Sequence, residues 1–188
     1  MAPVVRATIC TANEHKLAEF KELFPDWELE LLTGAEFPPE DGATYVDNAR
    51  IKARYGRAVG PADRLMIADD SGIEVAALGG APGVTTARWA EGRHVEKLLA
   101  SLDGAANRGA RYVCELVALA PGGHESRGTG VLRGSIASAA AGAEGFGFDP
   151  VFVPDGEQLT VAELGDAWKA LHSHRALAAQ ALRHRVGG

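Results

Sequence analysis

The sequence predicts an α/β fold built on a mixed sheet, and three observations predict it. Short β-branched or apolar runs, such as Val4 to Cys10 and Leu65 to Ala68, read as buried strands. They alternate with stretches whose apolar residues recur at helical spacing, as Leu17, Phe20, Leu23 and Phe24 do. Further on, Tyr112 to Ala120 and His124 to Leu132 are strand-like runs divided by Pro121-Gly122-Gly123, which reads as a hairpin. Strand–helix alternation calls for parallel crossovers and a hairpin for antiparallel pairing, so the sheet is expected to be mixed. With 188 residues, 46% of them hydrophobic, the chain can bury a sizeable core. One domain spanning residues 1–188 is therefore expected.

The elements follow in order. The first strand ends at Thr11-Ala12-Asn13, where Asn13 is placed to cap the first helix, and that helix leaves through Pro25 before a strand at Trp27 to Leu32. A polar loop containing Pro38, Pro39, Glu40 and Asp41 leads to Thr44, which with Asp47 resembles a capping box opening a second helix that runs to Val59. Leu65 to Ala68 runs straight into Asp69-Asp70-Ser71-Gly72, so the two acids are expected at a strand end, before a Gly- and Pro-containing loop from Gly79 to Gly83. Val95, Leu98, Leu99 and Leu102 mark a third helix, and the hairpin follows. The Ala-, Gly- and Ser-rich stretch from Ser135 to Gly147 stays inside the domain, Val151 to Val153 is a strand, Thr160 with Glu163 begins a short helix, and Ser173 caps the last one.

Composition excludes several classes. A formal net charge of −6 argues against a protein that coats a nucleic acid polymer, which needs a basic face. Cys10 and Cys114 lie in apolar runs with no paired metal spacing, so they read as buried thiols in a reducing compartment. No run of about 18 apolar residues is present, and a soluble cytoplasmic protein with no membrane partner is expected.

Four stretches carry groups able to do chemistry. Thr11, Asn13 and Lys16 bring polar side chains and an ammonium to a helix N-terminus, as phosphate-binding turns do, although a capping Asn with a surface lysine has the same pattern. Asp69 and Asp70 beside a buried strand are costly to desolvate unless a cation compensates them, which suits Mg²⁺; a solvated turn is the alternative. His174 and Arg175, one helical turn after Lys169, put cations in the first turn of a helix, where they oppose the macrodipole unless an anion sits opposite or the helix simply tolerates them. Phe146-Gly147-Phe148-Asp149-Pro150 could stack a planar base and accept hydrogen bonds from its edge, or its rings could pack in the core. The other histidines, His15, His94, His124, His172 and His184, share no metal-ligand spacing.

Read together, these stretches resemble the inosine triphosphate pyrophosphatase, or Ham1-like, family. The resemblance is colinear from Val4 to Leu182. It rests on Thr11-Ala12-Asn13 with Lys16, Asn48-Ala49 with Lys52-Ala53, Ala68 to Gly72, Gly80 to Gly83 with Ala87-Arg88, Gly145 to Pro150, and Lys169 with Ser173-His174-Arg175. It implies an elongated two-lobed α/β fold about a long central mixed sheet, a nucleotide cleft between the lobes, and a homodimer. The activity it implies is Mg²⁺-dependent hydrolysis of damaged purine nucleoside triphosphates such as ITP, dITP and XTP to the monophosphate and pyrophosphate. The same resemblance implies that Thr11, Ala12, Asn13, Glu14, His15 and Lys16 hold the triphosphate. Glu40 and Asp70 would bind Mg²⁺, with Asp41 as the other choice for Glu40 and Asp69 in support. Asp70 would be the general base, and Ser71, Phe146, Gly147, Phe148, Asp149, Lys169, His174 and Arg175 would complete the substrate site.

The sequence departs from that family in an abbreviated segment after Arg88, in Ala176 after the Ser-His-Arg motif, and in the alanine-rich Ser135 to Glu144. Two competing readings remain at this stage. One is a Maf-like nucleotide pyrophosphatase with another base preference, against which the separate Ser-His-Arg and Phe-Gly-Phe-Asp segments argue. The other is a nucleotide sensor that does not hydrolyse, against which Asp69, Asp70 and Lys169 argue. An aspartyl-phosphate phosphatase is set aside, because Asp69-Asp70-Ser71-Gly72 lacks an acid two residues after the nucleophile.

Overall fold

The first apolar run forms β1 (Arg6–Ile9), and α1 (Lys16–Leu23) carries the chain over to β2 (Glu28–Leu31), parallel to β1 in the register Arg6–Glu28 to Ile9–Leu31. The computed structural model describes residues 4–12, 16–89 and 92–187. The helix α2 (Tyr45–Val59) starts where the Thr44 side chain accepts the Asp47 N–H, the N-cap read from the sequence. It leads to β3 (Leu65–Val75), which pairs with β1 in parallel from Ala7–Leu65 to Ile9–Ile67. Then follow α3 (His94–Ser101), β4 (Gly109–Leu119) and β5 (Glu125–Ile136), the last two joined by a turn in which the Ala120 N–H donates to the His124 carbonyl at 2.9 Å. The short β6 (Phe152–Pro154) runs antiparallel to β5, and α4 (Val161–His172) and α5 (His174–Val186) close the chain. All six strands join one sheet in the order β2-β1-β3-β4-β5-β6, so the fold is α/β with a mixed sheet, as the sequence predicts.

One expectation is corrected. Asp69 and Asp70 do not stand at a strand end, and Asp69 to Gly72 is not a turn: β3 is 11 residues long and continues through them to Val75. Acidic residues can remain in a buried strand when each carboxylate has a partner close by, and here both do.

The chain forms two compact units. The first comprises Met1–Asp70, Cys114–Gly130 and Leu177–Gly188. Successive side chains of a strand alternate between faces, so this unit has two cores, one on each side of its strands. Ala7, Ile9 and Ile67 pack with Phe20 and Phe24 of the α1 segment and with Leu182 of α5. Cys10, Met66 and Ala68 pack with Ala49 and Ala53 of α2. A Cβ at Gly56 would overlap the Cys10 sulfur, so only glycine lets α2 approach β1 this closely. Burial pushes the Cys10 thiol up to about 12, which keeps it protonated and inert, while both cysteines are free.

The second unit comprises Ser71–Val113 and Val131–Ala176. Its core joins Ile73 and Val75 of β3 to Leu98 and Leu102 of the α3 segment, Tyr112, Phe148, Phe152 and Val161. A full capping box at Thr160 and Glu163 opens α4, which is longer than the short helix expected but breaks at Gly165, where φ is 84°. The Glu144 carboxylate accepts the Asp166 N–H at 2.9 Å, so the second half of α4 has its own cap. Among the described residues no helix is long and apolar enough to cross a membrane.

Candidate active site

Alternation along β3 distributes its two acids. Asp69 follows Ile67 onto the α1 side, and Lys16 at the start of α1 donates to both of its oxygens, at 2.8 and 2.9 Å. Asp70 follows Ala68 onto the α2 side, where Asn48 Nδ2 donates to Oδ2 at 2.9 Å. Lys52, one helical turn after Asn48, donates to Glu40 Oε1 at 2.9 Å. All six side chains belong to the first unit. They set three carboxylates against two ammonium groups.

The energetics single out one member. Asp69 is fully buried, but its carboxylate is bidentately paired. Asp70 is only 8% exposed, and burial raises its carboxyl above the usual value; the Asn48 hydrogen bond and Lys52 oppose that shift, and the charges of Glu40 and Asp69 add to it. Lys52 is buried as well, which disfavours its charge, but Asp69, Glu40 and Asp70 outweigh burial and raise its pKa. Asp70 is thus the carboxylate least compensated by the protein, and Asn48 engages its Oδ2 rather than its Oδ1.

In the second unit, Asp149 is 4% exposed and held from three directions. Its Oδ2 accepts Lys169 Nζ at 2.7 Å and the Phe146 N–H at 2.9 Å, and its Oδ1 accepts the Tyr112 hydroxyl at 3.3 Å. The Lys169 ammonium also lies 3.8 Å from the centre of the Phe146 ring, an attractive placement over the aromatic face. Phe146 is exposed at 62%, whereas Phe148 is buried and meets His94 edge-on with 5.5 Å between centroids. Of the two aromatics, Phe146 alone offers an open ring face. Ser173 caps α5 by accepting the Ala176 N–H at 3.1 Å, which fixes His174 and Arg175 in the first turn. Arg175 donates to Ser71 Oγ at 3.3 Å, and the His174 ring stacks on Tyr112 at 4.7 Å and 10°.

The remaining expected site residues fall as follows. Thr11 is buried and Ala12 exposed at the end of β1, and Gly147 takes a φ of 62° in the Phe146 loop. Asn13, Glu14 and His15 lie outside the described residues. Asp41, the other choice for Glu40, is exposed, whereas Glu40 faces Lys52. Sequence reasoning missed three residues as members of these clusters. Asn48 and Lys52 were legible as an i, i+4 pair on one face of α2. Tyr112 gave no signal beyond a tyrosine in a strand.

Fold and side chains define an α/β protein with two adjacent buried acids, one paired by a lysine and one under-compensated, inside a strand of a mixed sheet. The chain belongs to the Ham1 family, whose model matches residues 7–185. It is 40% identical, over 95% of its length and 96% of the relative's, to a dITP/XTP pyrophosphatase of Bdellovibrio bacteriovorus. Among solved structures, the Staphylococcus aureus Ham1 protein superposes with a TM-score of 0.87 at 33% identity, covering 97% of this chain and 98% of that one. A Mycobacterium abscessus nucleoside-triphosphatase, also described as a dITP/XTP pyrophosphatase, is 39% identical with a TM-score of 0.75 over 94% and 97% of the two chains.

Proposed function

We propose that this chain hydrolyses damaged purine nucleoside triphosphates, ITP, dITP and XTP, to the monophosphate and pyrophosphate, and so clears them from the nucleotide pool. The observation that carries this reading is Asp70: a buried, under-compensated carboxylate with raised basicity, surrounded by Asn48, Lys52, Glu40 and Asp69. Near-full-length relatives named dITP/XTP pyrophosphatase support the substrate class.

The donor set fits Mg²⁺. Glu40 and Asp69 are close enough to raise Asp70's pKa, so the cluster carries repulsion that a divalent cation would relieve. Among the described residues no group of three His, Cys, Asp or Glu side chains is gathered for a metal. Mg²⁺ takes one or two carboxylates and completes its shell with water and substrate phosphates, which Glu40 and Asp70 satisfy, with Asp69 in support. Bound there, it would neutralise phosphate oxygens and strengthen the electrophilic α-phosphorus.

The chain's own groups do the rest. Thr11 to Lys16 bind the triphosphate, and Lys16 exchanges Asp69 for phosphate oxygens. Asn48 holds Asp70 Oδ2, leaving Oδ1 to take the proton of a water that attacks the α-phosphorus. The new bond joins that water oxygen to the α-phosphorus, the α–β bridging bond breaks, and pyrophosphate leaves as one unit. In the second unit, the Phe146 ring stacks the base, Asp149 and Lys169 read the 6-keto purine edge, and Ser71, Gly147, Phe148, His174 and Arg175 complete the pocket. An adenine amino group cannot mirror the same hydrogen bonds, so a mismatched base leaves buried polar groups unpaired. Residues 1–188 act as one catalytic domain, assembled as a cytoplasmic homodimer.

The test is pyrophosphate release with Mg²⁺ from ITP, XTP, dITP, ATP, GTP, CTP and UTP, resolving monophosphate from diphosphate product. Monophosphate from ITP and XTP, at rates well above ATP and GTP, is the expected result. A pyrimidine preference would replace this reading with the Maf-like one, and tight binding without turnover with the sensor.

A further inference from the structure

Tyr112 is a residue to which the mechanism above gives no task, yet it touches two of the groups expected to recognise the base. It sits in β4 at 7% exposure with its ring clamped between two others: His174 at 4.7 Å and 10° on one contact, Phe152 at 4.5 Å and 39° on the other. A ring held by two neighbours cannot swing, so the position of its hydroxyl is set by packing. That hydroxyl donates to Asp149 Oδ1. Burial and the neighbouring Asp149 charge hold the Tyr112 pKa well above its ordinary value, so the phenol keeps its proton and remains a donor.

The consequence lies in the lone pairs of Asp149. A carboxylate offers about four acceptor positions, two per oxygen. Lys169 and the Phe146 N–H engage Oδ2, and Tyr112 takes one position of Oδ1. One Oδ1 lone pair remains, and it is fixed in direction because all three donors are fixed. A single, directed acceptor meets the N1–H of a 6-keto purine and opposes the N1 lone pair of adenine. Without the phenol, the carboxylate could turn about its Cβ–Cγ bond and present its charge less selectively.

We propose that Tyr112 is a positioning residue for base selection, fixing Asp149 through its hydroxyl and the His174 imidazole through its ring. This rests on the reading that Asp149 and His174 serve the purine. The order of effects follows: loss of the hydroxyl loosens Asp149 while the ring sandwich persists, and loss of the ring releases His174 as well.

The experiment compares the full-length parent with Tyr112→Phe and Tyr112→Leu. Steady-state hydrolysis of ITP and ATP with Mg²⁺ is measured together with the affinities for IMP and AMP by calorimetry. Tyr112→Phe keeps the ring stack and is expected to unfold at the parent's temperature to within a few degrees. Its KM for ITP and its Kd for IMP should rise several-fold, kcat should stay within about twofold, and the preference for inosine over adenine should shrink in both assays. Tyr112→Leu should lose more of that preference. A Tyr112→Phe protein with parental KM and parental base preference overturns the proposal, whatever Tyr112→Leu does, since a poorly folded leucine variant bears only on packing. A fall in kcat with unchanged KM also overturns it. Failure of the underlying reading looks different: the parent itself would then show no preference for ITP over ATP and none for IMP over AMP.

Discussion

The two clusters handle buried carboxylates in opposite ways. Asp149 in the second unit has three donors on two oxygens, one of them the Lys169 ammonium at 2.7 Å, so it has a counter-ion beside it. Asp70 in the first unit has one neutral donor, lies under the field of Glu40 and Asp69, and is raised in pKa mainly by burial. An acid held by several donors is fixed in place and suited to recognition. An under-compensated acid holds a proton more readily and waits for a cation, which suits chemistry. The contrast teaches that burial alone does not mark the reactive acid, because Asp69 is more buried than Asp70 and is fully paired. The donor inventory marks it.

The largest expected effect tests the chemistry side. Asp70→Asn keeps the size of the side chain and an oxygen for Asn48, and it should lower kcat by roughly 10²–10⁴-fold, the span a general base contributes, with nucleotide affinity close to the parent's. Near-normal turnover would remove Asp70 from the mechanism. A second readout comes from stability without metal or nucleotide. Folded Asp70 binds its proton more tightly than the unfolded chain does, so the folded state carries more protons between the ordinary and the raised pKa. Stability from this group is full below the ordinary value of 3.8 and declines as pH rises through the raised one. Asp70→Asn should therefore melt above the parent at neutral pH, and that advantage should vanish below about pH 4. An equal melting temperature at both pH values would mean that Asp70 carries no unrelieved charge.

Next in size is the recognition side. Asp149→Asn removes the counter-ion of Lys169, a side chain only 12% exposed, and weakens the acceptor proposed for the base. Hydrogen bonds to charged groups contribute about 1.5–3 kcal/mol, so KM for ITP should rise about 10–100-fold, with selectivity over ATP falling alongside. Measured KM and kcat for both nucleotides decide. A loss confined to kcat would move Asp149 to the chemistry side and dissolve the contrast between the clusters.

Much of this was legible before the structure. The strand-helix alternation, the caps at Thr44, Thr160 and Ser173, and the hairpin around Pro121-Gly122-Gly123 are local signals, and the structure places them where the pattern predicts. The site was legible only as a set of stretches. Which stretch lies beside which depends on long-range packing: Lys16 reaches Asp69 across 53 residues, and Asn48 reaches Asp70 because Gly56 lets α2 lie close on β1. The end of β3 was misjudged for the same reason. Asp-Asp-Ser-Gly has turn propensity by itself, and partners from two helices on opposite faces override it. Tyr112 was invisible because a tyrosine in an apolar strand is ordinary, and only its neighbours distinguish it.

The smallest expected effect probes how the second unit holds its cations. Ser173 accepts the Ala176 N–H, and its own N–H donates to the Lys169 carbonyl at 3.0 Å, so one residue caps α5 and ends α4. Ser173→Ala removes only the side-chain acceptor. Losing an N-cap of this kind costs about 1 kcal/mol, which for a chain of this size lowers Tm by about 2–4 °C. The start of α5 also carries His174 and Arg175, and fraying there should raise KM for ITP about two- to threefold, a loosening of binding worth less than 1 kcal/mol, and leave kcat nearly unchanged. Thermal unfolding and steady-state kinetics on the same preparation separate the two effects. If kcat fell tenfold while KM held, His174 or Arg175 would act on the reacting phosphate, and recognition and chemistry would no longer divide between the two units.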